Sequence, residues 1–159
     1  MKLPGARAGF LVMSAACVAA VGAAYWTQHH LDMQPCPWCI LQRMQLLVLA
    51  GLGLLIALLP SRLLQRVLSV LVVALAMSGV AAALWQHFVA AKSNSCALTL
   101  ADRILTWTAL DQRWPELFEV RATCADAAAN LLNVPYEFWS LALFALVGVW
   151  ALTSAMRRR

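Results

Sequence analysis

The sequence of 159 residues contains very little charge. Charged residues make up 12% of it and hydrophobic residues 63%, whereas a soluble domain has about a quarter of its residues charged. A soluble domain of this size has too little interior to bury so much apolar surface, which excludes a soluble globular fold. Disorder is excluded as well, because disordered chains are polar and charged. Internal repeats and low-complexity tracts are also lacking. The composition therefore indicates a protein that lies in a lipid bilayer.

Long apolar runs are what the sequence has in abundance. A membrane-spanning helix needs about 20 such residues, and four runs qualify: 8–26, 40–59, 67–91 and 136–156. The sequence therefore predicts an all-α membrane protein with a single domain, a four-transmembrane-helix bundle. Its connections are residues 27–39, 60–66 and 92–135. A cleaved signal peptide is the alternative for the first run, but that run exceeds the usual apolar core of about 7–15 residues.

The net charge of +5 indicates an orientation in the membrane. Seven Lys and Arg residues, and no acid, lie at the two termini and in 60–66, while the rest of the chain has five basic and seven acidic residues. Positive charge collects on the cytoplasmic side, so both termini and 60–66 are predicted to be cytoplasmic. The connections 27–39 and 92–135 then lie on the other side of the membrane, which is the periplasm in a bacterium. No nucleic acid partner is expected.

Four of the five cysteines fall in the two periplasmic connections. Cys17 lies within the first span, where a lone cysteine behaves as a small hydrophobe. Cys36 and Cys39 precede the second span, and Cys96 and Cys124 lie in the long connection. The periplasm permits disulfides, so these four are the candidates for redox chemistry.

Cys36-Pro37-Trp38-Cys39 forms a C-x-x-C motif at the start of the second helix. Proline suits the first turn of a helix, and the partial positive charge of a helix N-terminus favours a thiolate. We therefore expect Cys39 in the first turn, with its thiolate stabilised.

The motif allows three other interpretations. Haem attachment through C-x-x-C-H fails because Ile40 follows Cys39. A zinc site that includes His29 and His30 would need a second close cysteine pair, which the sequence lacks. A purely structural disulfide between Cys36 and Cys39 would close a very short loop and so would stabilise the fold little. The latter two stay open as alternatives.

Arg43 is the other unusual residue, because a charge inside a span costs roughly 2.5–3.5 kcal/mol at the membrane centre. It follows Cys39 by one helical turn and shares its face. Its side chain could reach outwards to the headgroups, but we favour stabilisation of negative charge during electron transfer. Gln42 and Gln45 are weaker candidates. His87, beside Gln86 at the end of the third span, is either a site residue or a headgroup-level residue.

The long connection, 92–135, has 44 residues and no span of its own, which is typical of a functional or disordered loop. Its segments 98–110 and 114–120 each contain a cluster of apolar residues. Either segment could lie on the bilayer surface or pack on the spans.

Together these features resemble the DsbB family of disulfide bond formation proteins. The resemblance covers nearly the whole chain and is centred on the stretch from Cys36 to Arg43, which matches the family's C-x-x-C-x-x-x-R. Cys96, Cys124, the stretch 131–135 and Phe138-Trp139 also match. Gln42 departs from family members that carry an acid before the arginine, a difference that bears on quinone affinity.

The resemblance implies a thiol:quinone oxidoreductase of the bacterial inner membrane. It reoxidises a periplasmic DsbA-like dithiol protein, a strong oxidant at about −120 mV, and passes the electrons to a membrane quinone, with ubiquinone favoured over menaquinone. The partner attacks Cys96 of a Cys96–Cys124 disulfide, and Cys36 then exchanges with the loop. Cys39 donates to the quinone, and Arg43 and His87 bind that cofactor.

Two rival functions remain. A quinone reductase of the vitamin K epoxide reductase type also has a membrane C-x-x-C and a loop cysteine pair, but in the opposite chain order. A non-catalytic membrane subunit or small transporter would hold the same cysteines in structural disulfides. In that case their redox state would not follow the supply of quinone.

Overall fold

The structure, a computed structural model, describes residues 6–92 and 99–157. Four of its helices are long and apolar enough to cross a membrane, which confirms the predicted four-helix all-α fold. They are α1 (Ala6–His30), α2 (Pro37–Leu58), α3 (Arg62–Phe88) and α7 (Tyr136–Arg157). Between α3 and α7 lie a 3₁₀ turn, three short helices and two strands: Ala90–Lys92, α4 (Leu100–Thr108), α5 (Leu110–Arg113), α6 (Pro115–Phe118), β1 (Asn130–Leu131) and β2 (Val134–Pro135).

Local capping groups determine where these helices begin. Cys36 is the N-cap of α2, and Pro37 occupies the first turn, where a missing backbone N–H costs no hydrogen bond. The Ser61 hydroxyl accepts a hydrogen bond from the backbone N–H of Leu64 at the start of α3. Thr99 and Asp102 form a reciprocal capping box on α4.

The long helices pack in the order α1, α2, α3 and α7. Phe10, Leu49, Val72 and Phe144 are fully buried in the core that they share. A glycine allows the close approach of α1 and α2, since a Cβ atom built on Gly53 would lie 2.5 Å from side-chain atoms of α1. Small residues of this kind are typical of helix contacts inside membranes.

The outer surface of the bundle is apolar. Val12, Leu63, Val70 and Leu146 are each more than half exposed, although all four are large hydrophobic residues. Exposure on this scale suits a surface in contact with lipid rather than water.

The described part of the long connection packs on the bundle through one face. Leu105 of α4 and Phe118 of α6 are buried and form a cluster with Ile40 of α2. Trp107 and Trp114 point away from this contact, and Trp107 is 87% exposed. Packing on the spans is therefore the correct interpretation for Leu105 and Phe118.

A short hairpin connects this region to α7. Strands β1 and β2 pair antiparallel across Leu132 and Asn133, which both have positive φ values, 56° and 64°. Two successive residues in this conformation form the type I′ turn that suits a two-residue hairpin. The hairpin leads directly into Tyr136, the first residue of α7.

Candidate thiol site

The first turn of α2 brings two cysteines together. The Cys36 sulfur accepts a hydrogen bond from the backbone N–H of Cys39 at 3.4 Å, and the two Sγ atoms lie 3.0 Å apart. Cys39 is in the first helical turn, as the sequence predicts. Its sulfur therefore lies in the region where the backbone N–H groups of a helix N-terminus carry partial positive charge.

Cys124 of the long connection lies against the same turn. The backbone N–H groups of Arg121 and Ala122 donate to the carbonyl of Pro35, at 3.0 and 3.3 Å, and so hold this segment beside the start of α2. The Cys124 sulfur forms a hydrogen bond with Cys36 and accepts another from the backbone N–H of Trp38. Cys36 therefore contacts both Cys39, on its own helix, and Cys124, on the loop.

These contacts shift the pKa values of Cys36 and Cys124 in opposite directions. Hydrogen bonds with Cys124 and then Cys39, together with burial, raise the pKa of the Cys36 thiol. The hydrogen bond with Cys36 lowers the pKa of Cys124, and the Trp38 N–H adds to this. Cys36 thus keeps its proton, while Cys124 tends towards the nucleophilic thiolate.

The remaining two cysteines have different positions. Cys96 lies outside the described residues, so its role and its pairing with Cys124 stay predictions. Cys17 is buried in the bundle core beside Phe10 and Met13, in a cluster separate from the one that contains Cys36 and Cys124.

Arg43 is buried and anchored inside the bundle. Its guanidinium donates to Gln28 Oε1 at 2.8 Å and to the backbone carbonyls of Leu117 and Ala24, at 3.1 and 3.2 Å. The side chain therefore does not reach outwards to the headgroups. None of its hydrogen-bond acceptors in the described chain is a carboxylate, so the charge has no acidic counter-ion there.

A chain of polar side chains leads from α7 to Cys39. The Ser140 hydroxyl is hydrogen-bonded to Gln42 Oε1, and Gln42 Nε2 donates to Gln86 Oε1 at 2.7 Å. Gln86 Nε2 then donates to the Cys39 sulfur at 3.2 Å. Gln45, the other weak candidate, instead donates to Ser78 at 3.1 Å, away from the cysteines.

Next to this chain is a cavity of about 300 Å³. Cys39 and Arg43 line it, as do several small residues of α1, among them Ala23, which is exposed on the outside of the bundle. Seven other polar or ionisable residues line the cavity: Thr27, Gln34, Gln42, Gln86, Tyr136, Glu137 and Ser140.

His87 lies behind the cavity and is not one of its lining residues. Its Nδ1 atom is 2.6 Å from Oε1 of Glu137, which is buried and does line the cavity. Phe88 and Phe138 contact the imidazole ring edge-on. His87 can thus act on the cavity through Glu137.

Sequence reasoning missed Gln28, Glu137 and Ser140. All three are polar residues near the ends of apolar runs, a signal that is shared by many headgroup-level residues. Gln28 fell in a predicted connection, but α1 continues through His30 and carries it into the bundle. Within residues 6–92 and 99–157, no three His, Cys, Asp or Glu side chains are grouped as metal ligands.

The fold and site together define a four-helix membrane protein with a cysteine pair at one helix N-terminus and a third cysteine in contact with it. A family model described as "Disulfide bond formation protein DsbB" matches residues 6–154. The chain belongs to this family.

Similar proteins carry the same description. A Disulfide bond formation protein B of Chromobacterium violaceum is 33% identical, over 96% of this chain and 95% of that protein. Disulfide bond formation protein B 1 of Pseudomonas syringae pv. syringae is 32% identical, over 90% and 85%. Its namesake in Pseudomonas entomophila is 30% identical, over 99% and 95%. Family membership supports disulfide bond formation by an integral inner-membrane protein.

Proposed function

We propose that this protein is a thiol:quinone oxidoreductase that reoxidises a periplasmic DsbA-like dithiol protein and passes the electrons to a membrane quinone. The observation that carries the proposal is the position of Cys36, which contacts Cys124 on the loop and Cys39 beside the cavity. A sulfur in this position can link disulfide exchange outside the bundle to electron transfer inside it.

The orientation follows from the charge distribution. With both termini and residues 60–66 in the cytoplasm, the end of the bundle that carries Cys36, Cys39 and Cys124 faces the periplasm. A soluble thiol protein can approach the long connection from that side. The cavity lies at the same end of the bundle, because Met33, Pro35, Ala127 and Leu131 of the two connections line it together with Cys39.

The cavity suits the head group of a quinone. Its volume of about 300 Å³ and its mostly apolar lining with few polar groups are typical of small-molecule sites. Arg43 and Cys39 would hold the cofactor directly, and His87 would act through Glu137. We favour ubiquinone over menaquinone. Bound there, a quinone would accept two electrons and two protons from the Cys36–Cys39 dithiol.

The first exchange begins at the loop. A thiolate of the partner attacks Cys96 of the Cys96–Cys124 disulfide, which forms a mixed disulfide and releases Cys124 as a thiolate. The backbone N–H of Trp38 donates a hydrogen bond to the Cys124 sulfur and stabilises the thiolate released in this step. The second thiol of the partner later attacks the mixed disulfide, so that the oxidised partner leaves and Cys96 becomes a thiol.

The second exchange moves the electrons inwards. The Cys124 thiolate attacks Cys36 of the Cys36–Cys39 disulfide, forms a Cys36–Cys124 bond and expels the Cys39 thiolate. The partial positive charge at the N-terminus of α2 stabilises that thiolate. Cys96 then attacks Cys124, which restores the loop disulfide and frees Cys36 for oxidation together with Cys39.

Arg43 provides the positive charge of the site. Because no carboxylate neutralises it in the described chain, its positive charge is available to the negative charge that develops at Cys39 and in the cavity. Its hydrogen bonds to Gln28 and to the Ala24 carbonyl fix the guanidinium in place.

The test is a purified assay in detergent with a reduced DsbA-like protein as electron donor and short-chain ubiquinone as acceptor. We expect loss of quinone absorbance in step with oxidation of the donor, and a slower reaction with a menaquinone analogue. If the donor remains reduced while the protein is folded, the proposal is wrong.

Thiol trapping in cells separates this function from that of a structural membrane subunit. In the oxidoreductase, Cys36, Cys39 and Cys124 change redox state when quinone synthesis is blocked. In a subunit with structural disulfides, the cysteines stay oxidised under both conditions.

A further inference from the structure

The hydrogen-bond chain from Ser140 to Cys39 crosses three helices. Ser140 belongs to α7, Gln42 to α2 and Gln86 to α3, and Gln42 and Gln86 are each about 95% buried. Buried amides need partners for both their oxygen and their nitrogen. Gln42 Nε2 donates to Gln86 Oε1, while Ser140 donates to Gln42 Oε1 and Gln86 Nε2 donates to Cys39. The chain ends on the Cys39 sulfur, the atom that faces both Cys36 and the cavity.

The directions of these hydrogen bonds determine which atom of the Gln86 amide faces the Cys39 sulfur. Gln86 Oε1 accepts from Gln42, so the amide nitrogen of Gln86 is the group left to face Cys39. An amide nitrogen can only donate, and a thiolate accepts more strongly than a thiol. This contact therefore favours the charged form of the sulfur.

Arg43 does not provide such a contact. Its hydrogen bonds go to Gln28, Leu117 and Ala24, so it acts on Cys39 through charge at a distance. Within the described residues, the only side-chain nitrogen that donates to the Cys39 sulfur is that of Gln86.

We propose that Gln86 is a further functional residue of the thiol site: oriented by Gln42 and Ser140, it donates a hydrogen bond that stabilises the Cys39 thiolate. Gln86 thereby raises the reactivity of Cys39 at neutral pH and makes it the better leaving group when Cys36 is attacked. This inference rests on the proposed function only for the direction of electron flow. The stabilisation itself exists without any quinone or partner.

The experiment measures the alkylation of individual cysteines in the reduced, purified full-length protein in detergent. Iodoacetamide is the probe, and mass spectrometry gives the rate at Cys39, Cys124 and Cys17 separately. Gln86→Leu should slow Cys39 at neutral pH by about three- to tenfold, the effect expected from losing one hydrogen bond. The rate at Cys124 should stay the same. An unchanged rate at Cys39 would overturn the proposal.

Gln45→Leu is the matched control. Gln45 also joins α2 to α3 through a hydrogen bond, to Ser78, and forms no hydrogen bond with a cysteine of the described chain. We expect it to leave the rate at Cys39 unchanged. If Gln45→Leu slows the alkylation of Cys39 as much as Gln86→Leu does, the cause is a change in helix packing and the proposal fails.

Buried Cys17 reports on folding in the same sample, since its alkylation rises when the bundle opens. Gln86→Glu keeps the length of the side chain and its acceptor for Gln42, but replaces the donor with a carboxylate. It should slow the alkylation of Cys39 at least as much as Gln86→Leu does, while Cys17 remains protected from alkylation. Wild-type reactivity of Cys39 in this variant would exclude the proposed role. Because no quinone or partner is present, this outcome is distinct from a failure of the proposed function.

Discussion

The guanidinium of Arg43 on α2 donates to the side-chain oxygen of Gln28 on α1 at a distance of 2.8 Å. The contact ties the second helix to the end of the first, next to the cavity that Cys39 also lines. It accounts for the presence of a polar residue at position 28, near the end of an apolar helix, where it is 3% exposed.

Replacement of Arg43 should separate quinone reduction from thiol exchange. Arg43→Ala removes the charge beside the cavity, and we expect quinone reduction to fall by about tenfold or more, the loss typical of a single electrostatic contact in an active site. Exchange between the cysteine pairs should persist. Gln28→Leu should give a smaller loss. His30→Ala should give none, because the imidazole hydrogen-bonds to the Trp26 carbonyl and stacks on the Trp26 ring of its own helix. Stopped-flow absorbance of the quinone, with parallel thiol trapping, measures both steps.

Cys39→Ser should trap the intermediate between loop and bundle. With Cys39 absent as a competitor, Cys36 should attack Cys124 of the Cys96–Cys124 disulfide, which forms a Cys36–Cys124 disulfide and releases Cys96 as a thiol, while quinone reduction is abolished. Mapping of the non-reduced protein by mass spectrometry detects this bond, and Cys17→Ser should behave like the wild type. Recovery of Cys36 as a free thiol in oxidised Cys39→Ser would contradict the exchange route.

The opposite pKa shifts of Cys124 and Cys36 predict two different pH profiles. Because the pKa of Cys124 is lowered, its thiolate forms at lower pH than that of a free cysteine peptide, and its alkylation midpoint should shift the same way. Cys36, with a raised pKa, should still be protonated where Cys124 is fully ionised. In Cys36→Ala the hydrogen bond to Cys124 is lost, so the Cys124 midpoint should rise towards that of the peptide. A midpoint that does not move would show that Cys36 is not the cause.

The pair of His87 and Glu137 should act as one unit. Since they lie 2.6 Å apart and only Glu137 reaches the cavity, His87→Ala and Glu137→Gln should each raise the KM for quinone. The double variant should be no worse than the more severe single variant, because both remove the same interaction. Additive losses would instead show that His87 acts on the cofactor independently of Glu137.

Close approach of α1 and α2 should depend on Gly53 but not on Gly51. A Cβ atom at position 53 would meet Met13, Ser14 and the Phe10 carbonyl, whereas nothing lies within 4 Å of one at position 51. We expect Gly53→Ala to lower the free energy of unfolding by about 1–3 kcal/mol, the range for overpacking. Gly51→Ala should be neutral or slightly stabilising, because alanine favours helix. Circular dichroism during unfolding in detergent gives both values; equal effects would contradict the packing described here.

The sequence predicts the helices and the unusual position of Arg43 well, for physical reasons. Apolar runs of spanning length leave few alternatives to helices, and a charge such as Arg43 inside such a run is conspicuous because it is costly. The first-turn position of Cys39 follows from Pro37 and the motif spacing. These are local properties of the chain.

Contacts between distant segments could not be predicted in this way. Gln86, Gln42 and Ser140 meet because of how α2, α3 and α7 are rotated about their axes, and helices that are apolar on every side give no signal for that rotation. The approach of Cys124 to Cys36 depends on two backbone hydrogen bonds to Pro35, and sequence pattern does not record such contacts.

The segment that carries Cys124 is fixed at both sides, by the hydrogen bonds to Pro35 before it and by the hairpin that leads into α7 after it. In the proposed route, exchange between Cys124 and Cys36 is therefore intramolecular, and its rate is governed by an effective concentration that the fold sets. Tethered groups commonly reach effective concentrations of about the millimolar range or higher. A small soluble thiol must exceed that concentration to compete with Cys124 for Cys36. The fold therefore protects the exchange between Cys124 and Cys36 from small thiols, while a partner protein can still react at Cys96.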